Sequence, residues 1–413
     1  MKENQTFIIE RNKNIALNPI NSNKKLFGLP NIGESCYMNS FLNIWLHTPH
    51  VLETLKESYK ESYKEKNDPL IDSLIKISEE PKEESLKQIK AAMAEEDKSF
   101  GKTVQNDSQE FGVILLNKII TQIKGIISFE EDSNEDETNI QIDKDYKIKK
   151  FEIFKNKYCK EDKKLEEMFQ FQEIMFNIDP NETKIGYYKS IYFNSFFNID
   201  LTFPNKNKKN CYSLIELMTY KYPKNPLNQI NQINQEDRTI FQYLRELWEN
   251  FKKILQKLSK IFNDNENNKN NEINDNNQIN ENNQINENNQ INEINNLFYS
   301  NLASLPNILI ISINRAFLWF NLFESTLSFK DTLDLKDYLD EAFLDKEKET
   351  KYKLYGVNLC EKYLLINAGH YYSYVKINDK WYKFDDNKPV EEISPVLESK
   401  YVTGLYYVKE KFI

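Results

Sequence analysis

Apolar residues recur at three- and four-residue spacing in VLETLKESYKE, in PLIDSLIKI and again in EFGVILLNKII, which predicts helices through residues 51 to 120. Upstream, in GLPNIGESCYMNSFLNIWLHTP, Gly28, Pro30 and Gly33 punctuate a loop. Phe41, Leu42, Trp45 and Leu46 then follow at helical spacing until Thr48 and Pro49 stop the run. Further along, GYYKSIYFNSFFNIDLTF at 186 to 203, ILIISIN at 308 to 314 and the segment from Lys353 onward are aromatic and β-prone. The expected order is helices first, strands later.

Three stretches stand apart. EEDSNEDE, from Glu130 to Glu137, reads as an exposed acidic loop. From about 263 to 296 INENNQ repeats with little apolar content beyond its isoleucines, too little to offset chain entropy, so a disordered insertion is expected there. Just before it, Ile240, Leu244, Trp248, Phe251, Leu255 and Ile261 belong to an amphipathic helical stripe expected to pack on its own fold.

A chain of 413 residues can bury a substantial core. Its net charge of -9 and the lack of a basic stripe disfavour nucleic acid as a partner. Cys36, Cys159, Cys211 and Cys360 lie far apart with no CxxC pair, which argues against a disulfide framework or a zinc ribbon and fits a reducing, intracellular setting. The N-terminal MKENQTFIIERNK lacks an apolar signal core and runs such as Ile308 to Ile313 are too short to cross a bilayer, so no membrane anchor is expected.

The chemistry centres on Cys36, which falls at the N-terminus of the first predicted helix. Unpaired backbone N–H groups and the positive end of the helix dipole favour an anion at such a place. A cysteine there is otherwise a small buried apolar residue, and a base elsewhere decides between the two readings. The chain has three histidines. His47 and His50 follow the helix and are suited to closing its C-terminal carbonyls. His370 stands in AGHYYSYVKINDKWYKFDDN, where Tyr371 to Ile377 and Trp381 to Phe384 read as a hairpin around Asn378, Asp379 and Lys380. A two-residue loop puts Asp385 on the sheet face of His370, and a three-residue loop puts Asp386 there. Either aspartate completes a Cys-His-Asp set.

At this point the chain resembles the ubiquitin-specific proteases, papain-like deubiquitinating cysteine peptidases. GLPNIGESCYMNS is similar to that family's cysteine box and GHYYSYVKINDKWYKFDD to its histidine box. QNDSQEF at 105 to 111, LPNILIISINRAF at 305 to 317 and the closing GLYYVKE agree in the same order. The resemblance implies an α+β, papain-like fold in one catalytic domain, 27–413, after an N-terminal extension, 1–26. Within it the family's subregions would be a helical thumb at 27–125, β-rich fingers at 126–299 and a palm at 300–413. It assigns Cys36 as nucleophile, His370 as general base and then acid, and Asp385 as orienting residue with Asp386 assisting. Asn31 would donate its side-chain amide to the oxyanion. Gln105, Asp107 and Glu110 would line the channel for ubiquitin's C-terminal tail, although Asp-x-x-Glu before an apolar run is also a helix capping box. Ubiquitin and ubiquitinated proteins are the implied partners, with no cofactor and no metal.

Several positions depart from the family pattern. Glu34 and Ser35 stand where it has Asn-Thr, and the Glu34 carboxylate is expected to point to solvent. Asn43 replaces a glutamine, and Cys360 stands at the place of a histidine, which implies an altered loop over the cleft. Without paired CxxC motifs the fingers are expected to lack zinc, with Cys159 and Cys211 as free thiols. Rival readings are a catalytically silent ubiquitin-binding scaffold, a protease for another ubiquitin-like modifier, and an assembly module built on the helical stripe and the Asn-rich tract.

Overall fold

The structure, a computed structural model, describes residues 26–62, 68–124, 140–158, 163–178, 187–188, 190–203, 209–223, 297–317, 321–322, 325–362 and 369–413. The N-terminal extension up to residue 25, the acidic stretch at 130–137, the helical stripe from 240, the Asn-rich tract, Cys159 and residues 363–368 of the altered loop lie outside these. No helix among the described residues is long and apolar enough to cross a membrane.

The helical region comprises α1 (Cys36–Leu46), α2 (Val51–Ser62), α3 (Pro69–Glu79), α4 (Glu83–Glu96) and α5 (Ser108–Lys124). The periodic run from 51 to 120 is thus four helices and a short helical turn, divided where caps intervene. Asp68 accepts hydrogen bonds from the amides of Leu70 and Ile71 at the start of α3, with Pro69 in its first turn. Asp107 does the same at α5 for the amides of Gln109 and Glu110, at 2.8 and 3.0 Å.

Strands and helices alternate beyond α5, which corrects the expected order. Two helices, α6 (Lys144–Tyr158) and α7 (Lys163–Phe169), precede β1 (Phe171–Ile178), β2 (Ser190–Phe196) and β3 (Asn198–Thr202), and α8 (Leu214–Lys221) follows. The lysine-rich α6 escaped the apolar pattern because ionic contacts help to fix its inner face. Lys147 is buried there, pairs with buried Asp340 at 2.9 Å and sits over the Phe176 ring.

Further strands are β4 (Leu297–Leu302), β5 (Ile308–Asn314), β6 (Thr332–Asp334), β7 (Lys351–Lys362), β8 (Gly369–Ile377), β9 (Lys380–Phe384), β10 (Glu391–Ile393) and β11 (Val402–Lys409), and Cys211–Ser213, Thr326–Ser328 and Glu398–Ser399 pair in a separate three-stranded sheet. The main eight-stranded sheet runs β10-β9-β8-β7-β11-β5-β3, with β6 also paired to β7. All its pairings are antiparallel except β3 with β5. A smaller antiparallel sheet has the order β2-β1-β4. β3 and β4 therefore cross the sequence boundary drawn at 299/300. β3 joins the sheet of the C-terminal region, and β4 pairs back onto β1.

One large core lies between the helices and the main sheet, where Tyr37, Phe41, Ile44 and Phe111 meet Tyr355, Val375 and Tyr406. A second core covers the sheet's other face under α8. α1 is enclosed, with Cys36 through Trp45 all buried. Glycines make room for it. A Cβ on Gly112 of α5 would stand 2.1 Å from Cε2 of Phe41, and one on Gly356 of β7 would stand 2.6 Å from Cγ2 of Ile44. Gly112→Val is therefore expected to destabilise the fold by roughly 1–3 kcal/mol, read as a lower denaturation midpoint with an unchanged denaturant slope.

Candidate active site

α1 begins at Cys36, and Ser35, its N-cap, makes no side-chain capping bond. The Ser35 hydroxyl instead accepts from the Ile32 amide at 2.9 Å. The first-turn amides are thus left for another acceptor, and the positive end of the dipole points at the thiol's surroundings. Gly33 and Glu34 make the turn into the helix with φ of 96° and 49°. Glu34 is exposed, as expected. Beside this turn Lys90 donates to the Gly33 carbonyl at 3.0 Å. Burial pushes the Lys90 ammonium down, and the Glu34 charge offsets part of that.

β8 and β9 form the predicted hairpin with a two-residue loop, Ile377 facing Lys380. Asn378 and Asp379 take the positive φ values, 48° and 63°, that a tight hairpin turn requires. The register places Asp385, of the two candidates, beside the histidine. His370 Nε2 donates to Asp385 Oδ1 at 2.6 Å. The ring's other side meets the Cys36 sulfur. That hydrogen bond is the largest influence on the imidazole, and with Asp385 it outweighs burial and raises His370 to about 9. Burial opposes ionisation of Asp385, but bonds from His370 and Lys388 hold its carboxyl below the usual range.

Asp386 turns the other way. Its φ of 48° sends the side chain toward α1 and the loop before it, where Asn39 of the helix donates to Oδ1 at 2.8 Å and Asn31 of the loop donates to Oδ2 at 2.9 Å. Asn31 Oδ1 accepts from the Gly33 and Ser35 amides, so both ends of its side chain are fixed. Gly28 permits this approach, since a Cβ there would stand 1.9 Å from the Asp386 carbonyl oxygen. Asn39, buried within an apolar stretch and three residues after Cys36, was not singled out in the sequence. An amide in the middle of an otherwise apolar helical segment was the available signal.

Gln105 sits closer to the thiol than a tail channel alone requires. Its Nε2 lies 3.8 Å from the Cys36 sulfur and donates to the Gly369 carbonyl. Asp107 and Glu110 instead border a cavity of about 480 Å3 with Asp200, Asn198, Ser312 and Arg315. Asp107 caps α5, and its other oxygen accepts from the Tyr371 hydroxyl at 3.3 Å. Burial and then the charges of Asp107 and Asp97 push the Glu110 carboxyl up, and burial does the same for Asp200.

His47 closes its helix as expected, its Nδ1 lying 2.7 Å from the Asn43 carbonyl. The His50 ring packs edge-on against Phe412, a core contact that the sequence did not indicate. Asn43 is buried, and its side-chain N–H groups find no partner. Cys360 is buried in the first core and Cys211 is an exposed free thiol.

A thiol at a helix N-terminus facing an imidazole and carboxylate on a sheet is the arrangement of papain-like cysteine hydrolases. The profile described as ubiquitin carboxyl-terminal hydrolase matches residues 27–407, and the chain belongs to that family. It is 36% identical over 115 residues to mouse ubiquitin carboxyl-terminal hydrolase 17-like protein D, covering 27% of this chain and 20% of that protein. It is 33% identical over 108 residues to Arabidopsis thaliana ubiquitin carboxyl-terminal hydrolase 16, covering 25% of this chain and 10% of that protein. The matches thus span a fifth or less of these relatives' length. Among solved structures, a SAGA DUB module containing Ubp8 bound to monoubiquitin superposes with a TM-score of 0.56 at 15% identity, covering 93% of this chain and 69% of that chain. The same module bound to ubiquitin aldehyde gives 0.55 at 16% identity, covering 93% and 70%. These likenesses show the fold.

Proposed function

We propose that this chain is a deubiquitinating cysteine protease that hydrolyses the peptide or isopeptide bond after the C-terminal glycine of ubiquitin. The observation that carries this reading is the assembly of Cys36, His370 and Asp385 from segments 334 residues apart, as counted from Cys36 to His370, around one sulfur. His370 takes the thiol proton, and the Cys36 sulfur attacks the glycine carbonyl. The developing oxyanion is met by the Cys36 backbone N–H and by the Asn31 amide, whose second N–H is not used by Asp386. His370 then gives its proton to the departing amine. Water, deprotonated by the same imidazole, cleaves the thioester and releases ubiquitin's carboxylate.

Two features favour ubiquitin's tail as the substrate. Cys36 is only 3% exposed, so a slender chain without side chains at its end suits the approach. The cavity lined by Asp107, Glu110 and Asp200, with Arg315 also on its wall, offers carboxylates to a basic stretch such as the tail's arginines. Ubiquitin bound to the Ubp8 modules of similar fold agrees with this assignment.

The test is release of a fluorogenic amine from ubiquitin's C-terminus, run beside the same reporter on other ubiquitin-like modifiers. Turnover with ubiquitin is expected. Binding without turnover would leave a scaffold, and turnover with another modifier alone would reassign the substrate.

A further inference from the structure

Two carboxylates crowd the histidine, because side-chain ligand atoms of His370, Asp385 and Asp386 all lie within 4.8 Å of one another. Unopposed, they would hold the imidazolium too firmly for a group that must also give its proton away. Two lysines stand on the far side of Asp385. Its Oδ2 takes Lys388 Nζ at 3.0 Å and Lys383 Nζ at 3.2 Å, while Oδ1 serves His370.

Each lysine is placed by local structure. Lys383 precedes Asp385 by two residues at the end of β9, so the pleat puts both on one face, and its ammonium also lies over the Tyr372 ring at 4.6 Å. That ring stacks against His370 with centroids 6.4 Å apart. Lys388 is brought back by the turn after β9, closed by its amide donating to the Asp385 carbonyl at 3.0 Å. Its side chain is 63% exposed, so packing does not explain its direction. Among the described residues, Tyr374 lies beside Tyr372 on this face, with ring centroids 5.6 Å apart. Glu361 lies across from His370 on β7 and accepts from the Tyr372 hydroxyl at 3.0 Å, and Cys36 closes the ring's opposite side.

We propose that Lys383 and Lys388 are positioning residues of the site. They anchor the second oxygen of Asp385 so that the first faces His370, and their charges keep the carboxylates from locking the imidazolium. This rests on the cysteine-protease reading, but one of its readouts does not need turnover.

The test compares the full chain with Lys383→Met/Lys388→Met and Lys383→Arg/Lys388→Arg variants. With only three histidines in the sequence, the His370 ring can be assigned and titrated by NMR. Loss of both charges is expected to raise the His370 midpoint by roughly half a unit to one unit. The alkaline limb of kcat/KM moves up with it, and the arginine pair restores both. An unmoved or lowered midpoint in a folded methionine pair overturns the proposal, as does a raised midpoint that the arginine pair fails to bring back to the wild-type value. If the pair does not fold, the exposed Lys388→Met alone is read, with about half the shift expected on the same basis. A wild-type chain without turnover would sink the protease reading, and the NMR midpoint would still decide this one.

Discussion

Replacing Cys36 with alanine is expected to lower hydrolysis of ubiquitin conjugates by at least about 10^4-fold, because the proposed thioester forms on its sulfur. The effect is chemical rather than structural. Cys36 is the first residue of α1, where alanine is a good helix former, and losing one sulfur from a site bounded by Gln105 and His370 removes little packing. Ubiquitin affinity and the denaturation midpoint should stay near those of the wild type, which calorimetry and denaturant titration measure. A variant that keeps a tenth of the wild-type rate would move the nucleophile elsewhere.

Replacing His370 with alanine is expected to cost about 10^3-fold or more in kcat, since both proton transfers pass through its ring. The wild-type pH profile carries the same logic. Hydrogen bonding to Cys36, opposed by burial and helped by Asp385, raises the imidazole to about 9. Turnover should therefore hold through neutral pH and decline as the ring loses its proton near pH 9. For stability the sign is the same. A folded-state value raised above the ordinary histidine range means that the contribution is complete below about 6.5. It is lost as pH climbs through about 9. Asp385→Asn should draw the alkaline limb downward, because it removes the negative partner of the ring. Stopped-flow or fluorogenic assays between pH 5 and 10 would register both limbs, and a profile that ends near pH 7 would contradict the assigned pairing.

Much of this site could be read without coordinates, for specific reasons. Turn residues and helical spacing located Cys36 at a helix start, and strand alternation reduced the choice of aspartate to a single question of loop length. The two-residue loop, Asn378 and Asp379, answers it. What alternation could not say is that Asp386, with its left-handed backbone, leaves the strand's plane and clasps Asn31 and Asn39. Long-range polar contacts of that kind have no period. The same limit hid α6, stapled by Lys147 to an aspartate 193 residues away, and the crossing of β3 to the edge of the main sheet. Lys383 and Lys388 were invisible too, since each looks like an ordinary surface lysine until the turn brings both to one carboxylate.

The most direct test uses ubiquitin carrying a C-terminal electrophile in place of its last carboxylate. The account predicts one covalent adduct, with mass spectrometry placing it on Cys36 and with none formed by Cys36→Ala. No adduct on a folded wild-type chain that still binds ubiquitin, or an adduct on Cys211 instead, would contradict it.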